Sequence, residues 1–209
     1  MKILCAAAGA ALLACSLTGY SQTEVACGQT LQAAMHSDGA LAIDSRPAGL
    51  TVVGTDQLTM RVTCTADDPE SMECVRLKLS GSGNGSTLTI QGGETHHGGV
   101  EVRIEVPHRT SIQVTMGAGQ VTVENLDGNK EISLYAGQVT ISSPQGWDYR
   151  SVDASVDIGE VNAQAFGADK GGFFRQFTRQ NANGEYRLYA HVMTGEIDLL
   201  GARQGSAAD

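Results

Sequence analysis

The stretch GQVTVENLDGNKEISLYAGQVTI (residues 119–141) begins and ends with the same motif, Gly-Gln-Val-Thr, and the two copies are 18 residues apart. Two further glycines, in Gly159-Glu-Val and Gly195-Glu-Ile, stand in the same setting, so the glycines are separated by 18, 22 and 36 residues. The last interval holds either one repeat with a long insertion or two repeats of which one is degenerate. A period of about 20 residues is typical of an architecture in which each repeat stacks on the previous one.

Apolar residues alternate with polar ones on both sides of the repeated glycine. Two positions after it stand Val121, Val139, Val161 and Ile197. Three positions before it stand Met116, Leu134, Val156 and Val192. This period of two predicts half-buried strands, and no segment has the spacing of a helix. The pattern has one mismatch at the position where Lys130 corresponds to Ile112, Val152 and Leu188.

A glycine between two strands fits this architecture, because a tight bend often needs a positive φ that residues with a Cβ adopt only at a cost. We therefore predict an all-β, single-domain β-solenoid of stacked short strands over residues 39–200, with an N-terminal hairpin region. In that region, the pattern predicts two strands at residues 75–79 and 88–90, joined by a Gly-rich turn. Residues 201–209 are small and polar, and we expect a disordered tail there.

Length and charge exclude some classes of protein. The chain has 209 residues, which suits one domain with a substantial core. Its formal net charge of -9 argues against a nucleic-acid partner, because an acidic surface repels phosphate. No apolar run reaches the roughly 20 residues that a membrane-spanning helix needs.

Residues 1–21 carry Lys2, an apolar run and then small residues, which is the pattern of an export signal. Two processing routes fit this segment. Leu-Leu-Ala-Cys at residues 12–15 resembles the lipobox of bacterial lipoproteins, which implies that Cys15 is acylated and becomes the first residue of the mature chain. The alternative is ordinary signal-peptidase cleavage near Ser21, which discards Cys15. Residues 22–38 are weakly patterned, and we expect a linker that would act as a tether for a lipid-anchored domain.

Export makes the remaining cysteines candidates for disulfides. Cys64 ends one strand-like run and Cys74 begins the next, with an Asp-Asp-Pro turn between the runs. We therefore predict a disulfide between Cys64 and Cys74. Cys27 is then left over, as a free thiol, an intermolecular partner or an alternative partner for one of the other two.

Three features of the strand pattern occur together: Gly-Leu-Thr-Val-Val-Gly-Thr-Asp at residues 49–56, a strand that ends at Val106-Pro107 before Ser-Ile-Gln-Val at residues 111–114, and the serial Gly-x-Val-x-Val steps. In these features the chain resembles the bacterial putative-adhesin domain of unknown function, also described as a toast-rack β-solenoid. The likeness covers residues 39–200. It implies a solenoid fold in an exported or membrane-linked envelope protein, and it implies no catalytic residues.

Residues 166–184 interrupt the repeats and differ from them in composition. The segment holds all four phenylalanines and a local charge of +2 in an acidic chain. One interpretation is a cap that buries phenylalanine on the open end of the solenoid. The other is a partner-binding surface, because aromatic residues and arginine are typical of binding hot spots and a basic patch attracts anionic lipid or polymer. The residues predicted to contact a partner are Lys170, Phe173, Phe174, Arg175, Phe177 and Arg179.

Sequence motifs for catalysis or metal binding are scarce. His96 and His97 stand near Glu94 in a Gly-rich stretch, where a metal site could be considered. Adjacent side chains on an extended strand point to opposite faces, so the two histidines would not face one ion. We therefore expect a solvated loop. The motif that prepares a serine nucleophile is missing, as are the P-loop and dinucleotide fingerprints. We therefore expect no catalytic residue, no cofactor and no bound metal.

Asp153 and Asp157 form the one pair of carboxylates with a regular spacing. The alternation puts both on the outward side of a strand, with Val152, Ala154, Val156 and Ile158 pointing inward. Paired carboxylates can perform acid–base chemistry or bind calcium. We expect no His, Lys or Arg near the two carboxylates to separate their pKa values, and therefore a solvated outer face.

The sequence favours a non-enzymatic, exported cell-envelope protein whose adhesin-like surface binds an envelope protein or a polysaccharide, or mediates self-association through the open solenoid ends. An alternative is an accessory or sensory module of an envelope stress response, which the family resemblance allows. A third is a carbohydrate-active enzyme, since long parallel β-helices cleave acidic polysaccharides. So few repeats leave little room for the deep groove that such an enzyme needs.

Overall fold

The structure, a computed structural model, describes residues 21–201 apart from 47, 68, 83, 93–98 and 144–147. Residues 1–20 of the predicted signal, which include Cys15, the His96-His97 pair and residues 202–209 of the predicted tail lie outside the described residues. The described chain forms a 13-stranded sheet, the short helix α1 (Pro69–Cys74) and a 3-10 turn (Gln164–Phe166). The strands are β1 (Ser21–Ala26), β2 (Leu31–Ala34), β3 (Ala40–Ser45), β4 (Ala48–Thr55), β5 (Thr59–Ala66), β6 (Arg76–Ser82), β7 (Gly85–Gln91), β8 (Val100–Pro107), β9 (Ser111–Glu124), β10 (Lys130–Ser142), β11 (Tyr149–Ala163), β12 (Ala168–Gln180) and β13 (Tyr186–Leu200).

Strand β9 divides the sheet into two arms. Its first half, residues 111–116, pairs in parallel with β3, and its second half, residues 119–124, pairs in parallel with β4. The arm on the β3 side, named the amino arm, continues through β7 and β6 to β1. The arm on the β4 side, named the carboxyl arm, continues through β8 and β5 to β2. Strands β10, β13 and β11 run through both arms, as β9 does.

The glycine repeats stack in register. Gly119 lies opposite Gly137, Gly137 opposite Gly195, and Gly195 opposite Gly159, so the predicted equivalence of these positions is confirmed. The stacking order differs from the chain order, because β13 lies between β10 and β11. Strand β12 turns back from β11 as an antiparallel hairpin and occupies its outer edge. Strand β13, which follows β12 in the chain, therefore pairs with the inner edge of β11.

The sheet is mixed and open. Its central strands pair in parallel, whereas β1, β2, β5, β6 and β12 each join a neighbour antiparallel. The all-β prediction is confirmed, and so is the N-terminal hairpin, which is formed by β6 and β7. These pairings do not by themselves make the chain a solenoid.

The stacked glycines form a column where the two arms meet. Gly137 has a φ of +135°, and a Cβ built on it would lie 1.9 Å from the carbonyl oxygen of Gly119. The same kind of clash with the backbone of the neighbouring strand would occur at the other three glycines. The column therefore requires glycine both for its backbone conformation and for the close approach of the strands.

Apolar side chains from both arms form one core. Along β11, Val152, Ala154 and Val156 are buried, as the alternation predicts. Ile158 was predicted to point inward, but it is 48% exposed. The alternation fails there because the bend at Gly159, where φ is +142°, follows directly and changes the direction of the side chains.

The segment at residues 22–38, predicted to be a linker, is part of the sheet. It forms β1, which pairs with β6, and β2, which pairs with β5. Leu31 and Met35 of this segment are buried in the core. The prediction was wrong because two short strands give too few alternating residues for the pattern to stand out.

The predicted disulfide between Cys64 and Cys74 is also wrong, because Cys64 bonds to Cys27. The strands flanking the Asp-Asp-Pro turn do not form a hairpin: β5 belongs to the carboxyl arm and β6 to the amino arm. Cys74 ends helix α1 as an exposed free thiol. Cys27 instead follows β1, where its N–H donates to the Val75 carbonyl, and the next N–H donates to the carbonyl of Cys64. The disulfide thus ties the first strand of the amino arm to the carboxyl arm.

Candidate functional site

A shallow groove of about 790 Å³ crosses the outer side of the amino arm, over the N-terminal ends of its parallel strands. We name it the outer groove. At one end the groove is lined by Ala40, Ala42 and Gly85, whose side chains are small or absent. At the other end stand longer side chains from β13, among them Arg187 and Tyr189.

One row of the outer groove follows from the register of the strands. Ala42 lies opposite Gln113, Gln113 opposite Glu131, and Glu131 opposite Tyr189. Gln113 donates from Nε2 to Oε1 of Glu131 over 3.4 Å. The Tyr189 side chain is 43% exposed although it stands in the middle of the sheet. The row therefore presents an amide, a carboxylate and an aromatic ring side by side.

A second row runs beside the first and is held by hydrogen bonds around Asn129. Its Oδ1 accepts the backbone N–H of Arg187 over 2.9 Å, and its Nδ2 donates to Ser111 Oγ over 3.3 Å. At the rim, Glu185 forms an ion pair with Arg109 over 2.9 Å. Within the described part of the chain, the Arg187 guanidinium is exposed and has no carboxylate partner.

Lys130, the mismatch in the repeat pattern, is a buried lysine beneath the groove. It is 2% exposed, and Nζ donates to the carbonyls of Leu126 and Gly128, over 2.6 and 3.1 Å, and to the hydroxyl of Tyr149. Burial lowers the pKa of Lys130 from 10.5 to about 7, and the charge of Asp127 opposes part of that shift. Burial raises the pKa of the Tyr149 hydroxyl. The lysine therefore fastens the turn that carries Asn129 into the groove.

The predicted partner segment forms the last strand of the sheet. Three residues of this strand lie opposite buried residues of β11: Arg175 opposite Val156, Phe177 opposite Ala154, and Arg179 opposite Val152. Their side chains therefore lie on the same side of the sheet as the core, but both arginines are exposed at this open edge. Phe177 is half-buried and stacks on Phe166 at 5.1 Å between ring centroids, and the Arg179 guanidinium lies 4.7 Å from the Phe166 centroid. This arrangement favours the cap interpretation for the part of the segment whose side chains are described.

Three of the predicted contact residues are placed only by their backbone. Lys170, Phe173 and Phe174 belong to β12, and their side chains lie outside the description.

Arginines on the core side of an edge strand oppose the addition of another strand, because pairing would bury their charge. This end of the sheet is therefore a poor platform for strand addition.

Asp153 and Asp157 lie on the outer face of β11, and each contacts a side chain from a neighbouring strand. Asp153 accepts a hydrogen bond from Gln176 Nε2 over 2.9 Å. His191 of β13, distant in sequence, stands with its Nδ1 3.1 Å from Ser155 Oγ and its Nε2 4.0 Å from Asp157 Oδ2. The expectation that no histidine is near these carboxylates was therefore wrong, because the register of β13 was unknown.

The Ser155, His191 and Asp157 contact does not have the surroundings of a nucleophilic triad. Strand β11 pairs with β13 on one side and β12 on the other, so the nearby backbone N–H groups are used in the ladders. A nucleophilic serine needs free donors for the oxyanion that forms. The contact is a polar network on a flat face.

A second polar row crosses the carboxyl arm beside the glycine column. Gln138 donates to Asp198 over 2.8 Å, and Glu196 and Glu160 stand next to it in register. Burial raises the pKa of the Glu196 carboxyl, and the charges of Asp198 and Glu160 raise it further. Among the described residues, no group of three or more His, Cys, Asp or Glu side chains could hold a metal ion.

The fold places the chain among all-β proteins built on a large mixed sheet. Protein-family models give no match to the sequence, and curated proteins give none either. Among solved structures, the chain is similar to the crystal structure of a "putative cell adhesion protein" from Clostridium sporogenes, with a TM-score of 0.51 and 12% identity. The match covers 86% of this chain and 98% of that one. At this identity the likeness concerns the fold alone. No helix in the described part of the chain is long and apolar enough to cross a membrane.

Proposed function

We propose that this chain is a non-enzymatic, exported cell-envelope protein that binds an envelope component through the outer face of its amino arm. Export is inferred from the signal-like segment at residues 1–21, and the disulfide between Cys27 and Cys64 fits an oxidising compartment. The fold shared with a protein named for cell adhesion supports an adhesin-like role.

The outer groove is the observation that carries this proposal. It combines an exposed aromatic ring, an arginine without a carboxylate partner and several amide and carboxylate groups on a rigid sheet. Tyr and Arg are enriched at binding hot spots. A rigid strand surface also loses little conformational entropy when a ligand binds.

The absence of enzymatic activity is part of the proposal and rests on the local geometry. The Ser155 hydroxyl, the best candidate nucleophile in the described chain, stands on a flat face whose N–H groups are occupied by the ladders. A surface without free donors offers little stabilisation to an oxyanion.

The proposal is tested by sedimenting the purified protein with isolated bacterial envelopes. The wild-type protein is expected to co-sediment, and a variant that combines Arg187→Ala with Tyr189→Ala is expected to remain in the supernatant. Tyr135→Ala is the matched control, because Tyr135 is a 63% exposed tyrosine on β10 that does not line the groove. Equal sedimentation of the wild type and the double variant would refute binding through this face.

A further inference from the structure

We infer that the outer groove binds a neutral, hydroxyl-rich glycan chain, with Tyr189 as the platform on which a sugar ring stacks. This inference rests on the proposed function, because it names the ligand of the same surface. It depends on four properties of the groove: its mixture of hydrogen-bonding groups, its aromatic ring, its charge balance and its place in the sheet.

The hydrogen-bonding groups of the groove match hydroxyls. A sugar hydroxyl both donates and accepts, so it needs partners of both kinds. Glu131 supplies acceptors and Arg187 supplies donors, while Gln113 and Asn129 supply both. Asn129 is already held by Ser111 and by the Arg187 backbone, and Gln113 by Glu131, so these groups are ordered before a ligand arrives.

Tyr189 gives the groove a surface for the apolar face of a sugar. Its side chain is 43% exposed and is flanked in register by Glu131 and Asp153. A pyranose ring has one side rich in C–H groups, and an aromatic face buries that side while its edge hydroxyls reach neighbouring polar groups. An exposed ring with carboxylates beside it favours a ligand that has an apolar face and a polar rim.

The charge balance favours a neutral ligand. Among the residues that line the groove, Glu131 and Arg187 contribute opposite charges, and Glu185 at the rim is compensated by Arg109. Lys130 is buried with its Nζ turned to backbone carbonyls and the Tyr149 hydroxyl, and Asp153 stands beyond the lining, where it accepts from Gln176. The groove is thus close to neutral in a chain whose formal charge is -9. A polyanion would be repelled by the protein as a whole, and a polycation would find stronger sites elsewhere on the acidic surface.

The place of the groove in the sheet argues against an extended peptide. Peptides that bind to sheets usually add a strand at an exposed edge, where backbone groups are unpaired. The groove instead crosses β7, β3, β9, β10 and β13, which are already paired with one another. Four gaps of about 4.8 Å make it about 19 Å long, which suits several sugar units rather than one.

The test is isothermal titration of the purified protein with neutral oligosaccharides: β-1,4-glucan, α-mannan and N-acetylglucosamine hexamers, with oligogalacturonate as the anionic comparison. At least one neutral chain is expected to bind, with an affinity that changes little between low and high salt because no net charge is involved. Tyr189→Ala is expected to weaken binding about tenfold or more, and Arg187→Ala several-fold. Tyr189→Phe is expected to retain binding because the ring remains, and Tyr135→Ala to leave it unchanged.

The outcomes separate this inference from the proposed function. If no neutral chain binds, or if Tyr189→Ala binds as tightly as the wild type, the glycan assignment is overturned. If protein sediments with envelopes through the groove but protease treatment of the envelopes abolishes this, the ligand is a protein and only the glycan assignment fails. If the wild-type protein does not sediment with envelopes at all, the proposed function fails as well.

Discussion

Replacing Gly137 with alanine is expected to destabilise the fold by about 3–5 kcal/mol. Gly137 lies inside the glycine column, between Gly119 and Gly195, so neither neighbour can move away freely. The clash would be between the new Cβ and a main-chain oxygen of the neighbouring strand. No change of side-chain rotamer can relieve it.

The magnitude follows from two costs. The added Cβ would stand 1.9 Å from the Gly119 carbonyl oxygen, and real Cβ atoms essentially never come closer than 3.0 Å. The strands must separate by a comparable distance, which breaks about two ladder hydrogen bonds at roughly 1 kcal/mol each. A φ of +135° adds about 1–3 kcal/mol of backbone strain for a residue with a Cβ.

The assay is urea unfolding followed by far-UV circular dichroism, with Gly117→Ala as the matched control. Gly117 lies on β9 close to the column, and a Cβ there would have no heavy atom within 4 Å. The control is expected to change the free energy of unfolding by less than about 1 kcal/mol. A Gly137→Ala protein as stable as the Gly117→Ala protein would refute the role given to the column.

Three further predictions concern the buried lysine, the disulfide and the edge strand. Because burial lowers the pKa of Lys130 from 10.5 to about 7, the folded chain binds fewer protons than the unfolded chain between those values. The free energy of unfolding should therefore rise with pH in that window, by up to about 1.4 kcal/mol per pH unit more than it does in Lys130→Leu. Parallel pH profiles for the wild type and Lys130→Leu would contradict this. Replacing Cys27 and Cys64 together with alanine should lower the free energy of unfolding by about 4 kcal/mol, whereas Cys74→Ser should leave it within about 0.5 kcal/mol; the reverse pattern would contradict the pairing. Replacing Arg175 and Arg179 with threonine should raise the average mass in light scattering above that of the wild type, since the edge loses its charges. Equal masses for the wild type and the variant would contradict that role.

Much of the fold could be predicted from the repeat around Gly119 and Gly137. Period-two alternation gives the strands, and equivalent glycines give the stacked register, which the pairings confirm. The order of the strands could not be predicted, because an interval of 36 residues does not say where the returning strand pairs. The correct partner of Cys64 was hidden for a similar reason, since it depends on which arm each short strand joins.

The site was partly visible in the same repeat. Gln113, Glu131, Asp153 and Tyr189 all stand six residues before a repeated glycine, so the alignment alone puts them in one outward row. The composition of the chain points instead to the Phe- and Arg-rich insertion at residues 166–184, which does not contribute to that row. The small residues that make the depression come from β3 and β7, which lie outside the repeat, so only the pairing of those strands reveals the groove.

The most direct test of binding through the outer groove is hydroxyl-radical footprinting of the protein with and without isolated envelopes. Tyr189 and Tyr135 are both exposed, at 43% and 63%, and only Tyr189 lines the groove. If the groove binds an envelope component, envelopes should reduce oxidation of Tyr189 and leave that of Tyr135 unchanged. Protection of Tyr135 or of the β12 phenylalanines, with Tyr189 still oxidised as in the free protein, would contradict it.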